Sequence, residues 1–499
     1  MVTGVEGEVS YGRRLTEIAA ARPTEANLVI VAADGTETAV TWQTLESRAN
    51  QIARRLEALG VDEDSLVCLA LPTCVEHITV TLAIWKLGAT LLPLRHDQPQ
   101  WEMDRLLAVA QPKVMISDEH TATCPVLTRA DLRATTALPD HPLEDHISEI
   151  LNLGASSGST GQPKLIVVPL RGVVNADPTR QHMAGTGTMV ALVTSPLYHV
   201  NGFSFVTPEL LAGTRVYVME KFDAALAVKL IEKHHITYSV MVPTMLQRIA
   251  RLPGLRAEQL ASINRLIYGG STIPEWLVDR WLELIPPEAF IFTYGSTERL
   301  GLMSMTGAEW PAHRGATGRP LDVDVKILDD RGNEVATGEV GEIYMRPLDP
   351  TRRLFKYIGI AAPQPTADGY LSIGDLGRVD SDGYVYITDR RKDMIVTGGA
   401  NVFPAEVEAA LSQHPDVVDQ VVVGVPDDEW GHRVHAILQL RDGVASLSAD
   451  ELRVWCKTRL TSYKVPKTYE IVERVPRTAA GKLNRTTLGT QRAQRTQGN

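Results

Sequence analysis

From Ser156 to Lys164 the chain reads SSGSTGQPK, which gathers two glycines, three serines, a threonine and a lysine directly after the apolar-leaning ILNLGA. This composition suits an anion, and a chain of phosphates above all. Gly158 and Gly161 free the backbone so that N–H groups can converge, Ser156, Ser157, Ser159 and Thr160 offer hydroxyl donors, and Lys164 adds charge. A flexible surface linker has much the same composition, so the loop alone leaves both readings open. It is not a Walker loop, because G-x-x-x-x-G-K-[ST] needs Gly-Lys where Pro163-Lys164 stands.

The surrounding elements favour a ligand. From Thr41, TWQTLESRANQIARRLEALG places Leu45, Ala49, Ile52, Leu56 and Leu59 on one helical stripe that ends at Gly60. Strand-like LVCLAL (66–71), helix-like VEHITVTLAIWKLG, TLLPL, a polar-rich helix near 100–109 and KVMISD follow. After the glycine loop come MVALVTS, RVYVME, ITYSVMV, INRLIYGG and FIFTYG, separated by helix-length segments. This alternation predicts doubly wound, largely parallel sheets, whose ligands sit beyond the C-terminal ends of the strands. SPLYHVNG, YGGS and TYGSTE fall at those ends. From about residue 315, Gly/Asp-rich turns between short alternating runs predict an antiparallel β unit. Beyond ITDRRKD, a helix from Pro404, strands VVDQVVVGV and RVHAILQL, a helix ADELRVWCKTRL and a strand near Tyr469 predict a small α/β domain. The Gln/Arg/Thr-rich tail after Leu488 reads as frayed.

The 499 residues, 44% hydrophobic and 22% charged, have room for about two to four domains. A net charge of −10 argues against a nucleic-acid partner and leaves room for a local cationic pocket. Cys68, Cys74, Cys124 and Cys456 show no C-x-x-C or zinc spacing, which fits buried thiols in a reducing compartment. The stretch MVTGVEGEVSYGRR lacks the apolar core of a signal peptide, and Lys86 and Gly88 break the longest apolar run. A cytoplasmic protein without a membrane span is expected.

Taken in order, SSGSTGQPK, SPLYHVNG (195–202), YGGS (268–271), YGSTE (294–298), GATGRP (315–320), GYLSIGDLGRVDSDGY (369–384), DRRKDMIVTGGANVFPAEVE (389–408) and PRTAAGKLNR (476–485) resemble the adenylate-forming superfamily: AMP-forming acyl-CoA synthetases, peptide-synthetase adenylation domains and luciferases. The resemblance covers most of the chain. It implies an α/β fold, with a large N-terminal domain (1–391) of doubly wound subdomains plus a small β unit, and a mobile small C-terminal domain (392–499). The implied chemistry joins a carboxylate to the α-phosphate of ATP, expels pyrophosphate, and passes the acyl group to a nucleophile, with Mg²⁺ offsetting the phosphate charge.

By the same resemblance Glu298 is the metal carboxylate, Thr297 a phosphate donor, and Tyr294 the ring on adenine, with Gly269, Gly270 and Ser271 on its other face. Gly295 and Ser296 belong to the same nucleotide loop. Asp375 can accept both ribose hydroxyls, because two carboxylate oxygens match a vicinal diol. Arg390 is a ribose or phosphate contact, Lys482 the catalytic lysine between carboxylate and α-phosphate, and Lys392 the hinge. Gly398 and Gly399 offer bare backbone to pantetheine, His199 gates the acid, and Trp430, Lys464 and Lys467 touch the CoA nucleotide. The family's loop usually reads TSGTTG-x-PKG before a Ser/Asn-His pair. Here VVPLRGVVNADPTRQ follows the lysine, which suggests a specialised branch.

The leading expectation is an acid–CoA ligase for a mainly apolar acid (aromatic, alicyclic or medium-chain), using ATP, Mg²⁺ and CoA, with a homodimer left open. The acyl pocket is expected from His199 to Gly202, MVPTM (241–245), Gly269 and RLGLMSM (299–305). The alternative keeps adenylation but passes the group to a carrier-protein thiol or an amine, or adenylates nitrite for diazotisation. A catalytically dead binding module is a third class, opposed by the intact Glu298, Asp375, Arg390 and Lys482.

Overall fold

Leu45, Ala49, Ile52 and Leu56 are fully buried on the helix Trp42–Glu57, which Thr41 caps by accepting from the Thr44 amide. That helix packs on Val75–Lys86, apolar on nearly every side, whose buried Lys86 lies 2.9 Å from a carboxylate oxygen of Glu46. The pairing is what lets a lysine stay in this core. The computed structural model describes residues 8–156, 163–175, 189–391, 393–427, 429–477, 483 and 485–497.

Short Val/Ile/Leu-rich runs, buried on both faces, build two largely parallel sheets as expected. The larger has nine strands among the described residues. Its parallel part runs in space through Phe290–Tyr294, Arg265–Tyr268, Tyr238–Met241, Val190–Val193, Arg215–Met219 and Leu28–Val31. Antiparallel strands close both edges, Glu37–Val40 at one and Met303–Thr306 with Arg319–Pro320 at the other. The smaller sheet, Thr90–Pro93, Leu66–Ala70, Val114–Ser117 and Val126–Leu127, is parallel throughout. Because Val190–Val193, Arg265–Tyr268 and Phe290–Tyr294 run the same way, the motifs that follow them emerge along one edge of the sheet.

The glycine loop joins a hairpin, with Leu153–Ser156 antiparallel to Lys164–Val167 and Ser156 opposite Lys164. A third strand, Lys356–Ile358, pairs with the outgoing arm. The expected β unit is the antiparallel sheet Val323–Leu328, Gly341–Pro347, Asp375–Val379 and Val385–Arg390. Ile395–Thr397 begins a further sheet, built on the long pair Val417–Asp427 and Gly431–Leu440 with Thr468–Val472 alongside. The helices Pro404–Ser412 and Ala449–Lys457 stand where the sequence places them.

The tail corrects an expectation. The segment read as frayed is part of a helix, Arg485–Gln497. Leu488 is buried with Val421, Val423 and Val425, and Arg492 is bonded to both Glu470 oxygens at 2.7 and 3.0 Å. Leu488 and Ala493 on that cluster, with the ion pairs of Arg485 to Glu408 and Arg492 to Glu470, hold a polar helix that its own propensity would not. Among the described residues, no helix is long and apolar enough to cross a membrane.

Candidate active site

At the shared strand edge, Lys164 and Glu298 meet although they lie 134 positions apart in sequence, with Nζ 3.3 Å from Oε1. The hairpin presents Lys164, and the turn after Phe290–Tyr294 presents Glu298. Tyr357 completes the group: its hydroxyl donates to the same Oε1 at 2.7 Å, and the lysine ammonium lies 3.8 Å over its ring. Burial pushes the Glu298 carboxyl up, but the Tyr357 hydroxyl and the Lys164 charge outweigh it and hold the group below its ordinary value. The result is an ionised, largely enclosed carboxylate with hard oxygen donors.

A second cluster borders the first. The Tyr294 hydroxyl donates to Asp375 Oδ2, and Arg390 Nε lies 3.3 Å from Oδ1. Desolvation raises the Asp375 carboxyl even with Arg390 beside it. Asp375 and Arg390 face each other in register on neighbouring strands, so the antiparallel β unit itself sets this pair. Among the described residues Ser296 Oγ is buried without a hydrogen-bond partner, which leaves a donor for a ligand. Thr297 packs so closely on Gly154 that a Cβ there would collide with its methyl, which locks the YGSTE turn against the strand entering the glycine loop.

Other expected positions are arranged differently. Gly269 is buried against Thr293, while Gly270 and Ser271 are exposed. Gly295 lies against Gly301 and Leu302. His199 begins the helix Val200–Leu211 and lies 5.7 Å from the ring of Tyr198. Within the expected acyl lining, Met241, Met245, Met303 and Met305 are buried in the core, whereas Leu302 is exposed.

Gly398, Trp430 and Lys467 do come together. The Gly398 amide donates to the Trp430 carbonyl at 2.9 Å, and Lys467 Nζ stands 4.0 Å over the indole. Lys464 is bonded at 2.7 Å to each oxygen of Glu406. No hydrogen bond or ion pair among the described residues joins this cluster to Glu298 or Asp375. Ser157, Gly158, Ser159, Thr160, Gly161, Lys392 and Lys482 lie outside the described residues, as does the side chain of Ser156.

Tyr357 escaped the reading of the sequence. It lies in FKYIG (355–359), which matches none of the motifs quoted above, and strand pairing with Lys164–Val167 delivers it to Glu298.

A doubly wound body whose phosphate-type hairpin meets a carboxylate beside a buried Asp–Arg–Tyr cluster has the make-up of an adenylate-forming enzyme. The family model described as AMP-binding enzyme matches residues 15–349, and that of the AMP-binding enzyme C-terminal domain matches 406–482. A feruloyl-CoA synthase from an Amycolatopsis species is 33% identical over 462 residues, covering 89% of this chain and 92% of that one. A fatty acid–acyl-carrier-protein ligase from Streptomyces coeruleorubidus is 31% identical over 489 residues, covering 90% and 91%. The o-succinylbenzoate CoA synthetase of Bacillus subtilis, solved with ATP and magnesium, superposes with a TM-score of 0.77 at 25% identity, covering 96% of this chain and 99% of that one. The chain belongs to the AMP-binding enzyme family, among the adenylate-forming acid–CoA ligases.

Proposed function

We propose that the protein joins a mainly apolar carboxylic acid to CoA at the expense of ATP. The observation that carries this reading is the ionised Glu298 held by Tyr357 and Lys164 within the cluster that also offers Asp375 and the unpaired Ser296 hydroxyl. The acid's oxygen attacks the α-phosphorus, the bond to the β-phosphate bridge breaks, and pyrophosphate leaves with the electron pair. In the second step the CoA sulfur attacks the acyl carbon, and the carbon–oxygen bond to AMP breaks.

Glu298 fits Mg²⁺, since a hard cation prefers an ionised oxygen and this carboxylate is held in that form. Bound there, the metal would supply charge neutralisation at the phosphate oxygens. Lys164 adds a fixed cation, Ser296 and Thr297 add donors, and Asp375 offers its two oxygens to the ribose diol. Tyr294, tied to Asp375, sets the wall for the adenine. Lys482 would bridge acid and α-phosphate, and Gly398 and Gly399 would flank pantetheine after the segment 392–499 pivots at Lys392 against 1–391. The protein is read as cytoplasmic, with no nucleic-acid partner.

The test is pyrophosphate release across a panel of carboxylic acids with ATP and Mg²⁺, run alone and with CoA, holo carrier protein, or nitrite plus an aryl amine. Acyl-CoA formed with aromatic, alicyclic or medium-chain acids is the expected result. Product only on the carrier, or only a diazo product, would replace CoA as the acceptor or the acid as the substrate. Release undiminished by exhaustive chelation would remove the metal role from Glu298.

A further inference from the structure

Under the helix Val200–Leu211, against the strands Val190–Val193 and Tyr238–Met241, lies a cavity lined mainly by Ala191, Val193, Phe205 and Val240. It has space for the centre of about one water-sized group, 10 Å³. Two polar side chains also line it, Glu209 and Tyr238, with 3% and 1% of their surface exposed. The Tyr238 hydroxyl is buried and makes no hydrogen bond among the described residues. Glu209 accepts one long bond, from the Thr214 hydroxyl at 3.3 Å. Burial lifts the Glu209 carboxyl to about 6, and the charge of Arg265 offsets only part of that. At neutral pH the apolar chamber therefore holds a mostly ionised carboxylate and a phenol with an unspent donor.

Such groups are costly when left unmatched, on the order of 1–3 kcal/mol each. What would match them is chemically narrow. A hydroxyl can donate to Glu209 and accept from Tyr238. An ether or ketone cannot donate to the carboxylate, and an ammonium cannot accept from the phenol. The position is equally suggestive. His199 caps the helix and Met241 ends the strand, both within segments expected at the acyl pocket, and Glu209 lies roughly 13 Å down the helix from Val200.

We propose that this cavity is the blind end of the acyl pocket and selects an acid with a hydroxyl at the end remote from its carboxylate, Glu209 accepting from that hydroxyl and Tyr238 donating to it. This rests on the acid-activating reading above. The required acid is an arylpropanoate-sized or medium-chain molecule, apolar along its length and polar at its tip.

The experiment compares matched acids in pyrophosphate release: 3-(4-hydroxyphenyl)propanoate against 3-phenylpropanoate and its 4-methoxy analogue, and 8-hydroxyoctanoate against octanoate. The expected result is a kcat/KM for at least one hydroxy acid roughly tenfold or more above that of its partner. Glu209→Gln and, independently, Tyr238→Phe should each bring that ratio towards one, with folding checked by circular dichroism. Equal kcat/KM within every pair in the unaltered enzyme overturns the proposal and leaves the cavity as the seat of a buried water. So does a hydroxyl preference that survives both substitutions. If no acid releases pyrophosphate, the ligase reading fails separately, and calorimetric titration of the same pairs decides this one: preferential binding of a hydroxy acid, lost in Tyr238→Phe, supports it, and equal or no binding overturns it.

Discussion

The Tyr357 hydroxyl donates to Glu298 Oε1 at 2.7 Å while Lys164 lies 3.8 Å above the same ring, so one tyrosine fixes both an anion and a cation. Two strands that share no motif, Lys164–Val167 and Lys356–Ile358, make this possible by pairing. On the reading proposed above, the tyrosine is a positioning residue that acts through the carboxylate.

Glu298→Gln should lower pyrophosphate release by roughly a hundred- to thousandfold, about 3–4 kcal/mol of lost charge stabilisation. Tyr357→Phe keeps the ring under Lys164 and removes only the donor, for an expected loss nearer tenfold. Because that hydroxyl is the foremost influence lowering the Glu298 carboxyl, its removal should move the acid limb of the pH–rate profile upward. A profile of unchanged shape would assign Tyr357 to packing alone.

Burial holds the Glu209 carboxyl at about 6 against an ordinary 4.5. A raised folded-state value means that the protonated form is the one the fold favours, so its stability contribution is full below about 4.5 and is lost as pH rises through about 6. The loss amounts to about 2 kcal/mol at pH 8. Glu209→Gln should therefore gain on the unaltered protein in thermal unfolding as the pH goes from 4.5 to 8, by roughly 2–4 °C. A difference in Tm that is constant across that range would contradict the buried-carboxylate account.

Arg251, which follows the helix Pro243–Ala250, holds the segment 412–418, donating to the carbonyls of Val417, Val418 and Ser412 at 2.8, 3.1 and 2.9 Å. Gln247 adds a bond to Val418 at 2.9 Å, and Trp276 bonds Ser412 at 3.0 Å under the Arg251 guanidinium. Arg251→Ala should weaken this docking by about 2–4 kcal/mol. Faster amide hydrogen exchange across residues 404–420 is the expected readout, and unaltered exchange there would mean the latch is redundant.

Lys482→Ala should slow acyl-adenylate formation roughly a hundred- to thousandfold and spare thioester formation from supplied adenylate. Gly398 and Gly399 should show the reverse. A Cβ on Gly398 would run into the Trp430 ring, and Gly399 has φ +80, where a side chain costs about 1–2 kcal/mol, with open space in front of it. Gly398→Ala and Gly399→Leu are expected to impair the CoA step and leave adenylation near its original rate. Pre-steady-state assays of each half-reaction check this. Equal loss of both steps in all three variants, with folding intact, would rule out a pivoting small segment.

The sequence alone determined what depends on near neighbours. A stripe such as Leu45–Ala49–Ile52–Leu56 forms a helix because its spacing matches 3.6 residues per turn, and the short β-branched runs between helix-length segments read as buried strands. The motifs at the ends of those strands were legible for the same reason, since parallel strands deliver their C-terminal turns to one edge. Tertiary structure decided what depends on distant partners. Tyr357 meets Glu298 through strand pairing, and Tyr294 reaches Asp375 across 81 positions. The polar tail is helical because Leu488 finds a hydrophobic cluster and Arg492 finds Glu470. Glu209 and Tyr238 share one cavity only because a helix crosses a strand above it. Local pattern is set by covalent geometry and periodicity, whereas the energies of buried charge and unpaired polar groups are set by whichever side chains the completed fold places against them.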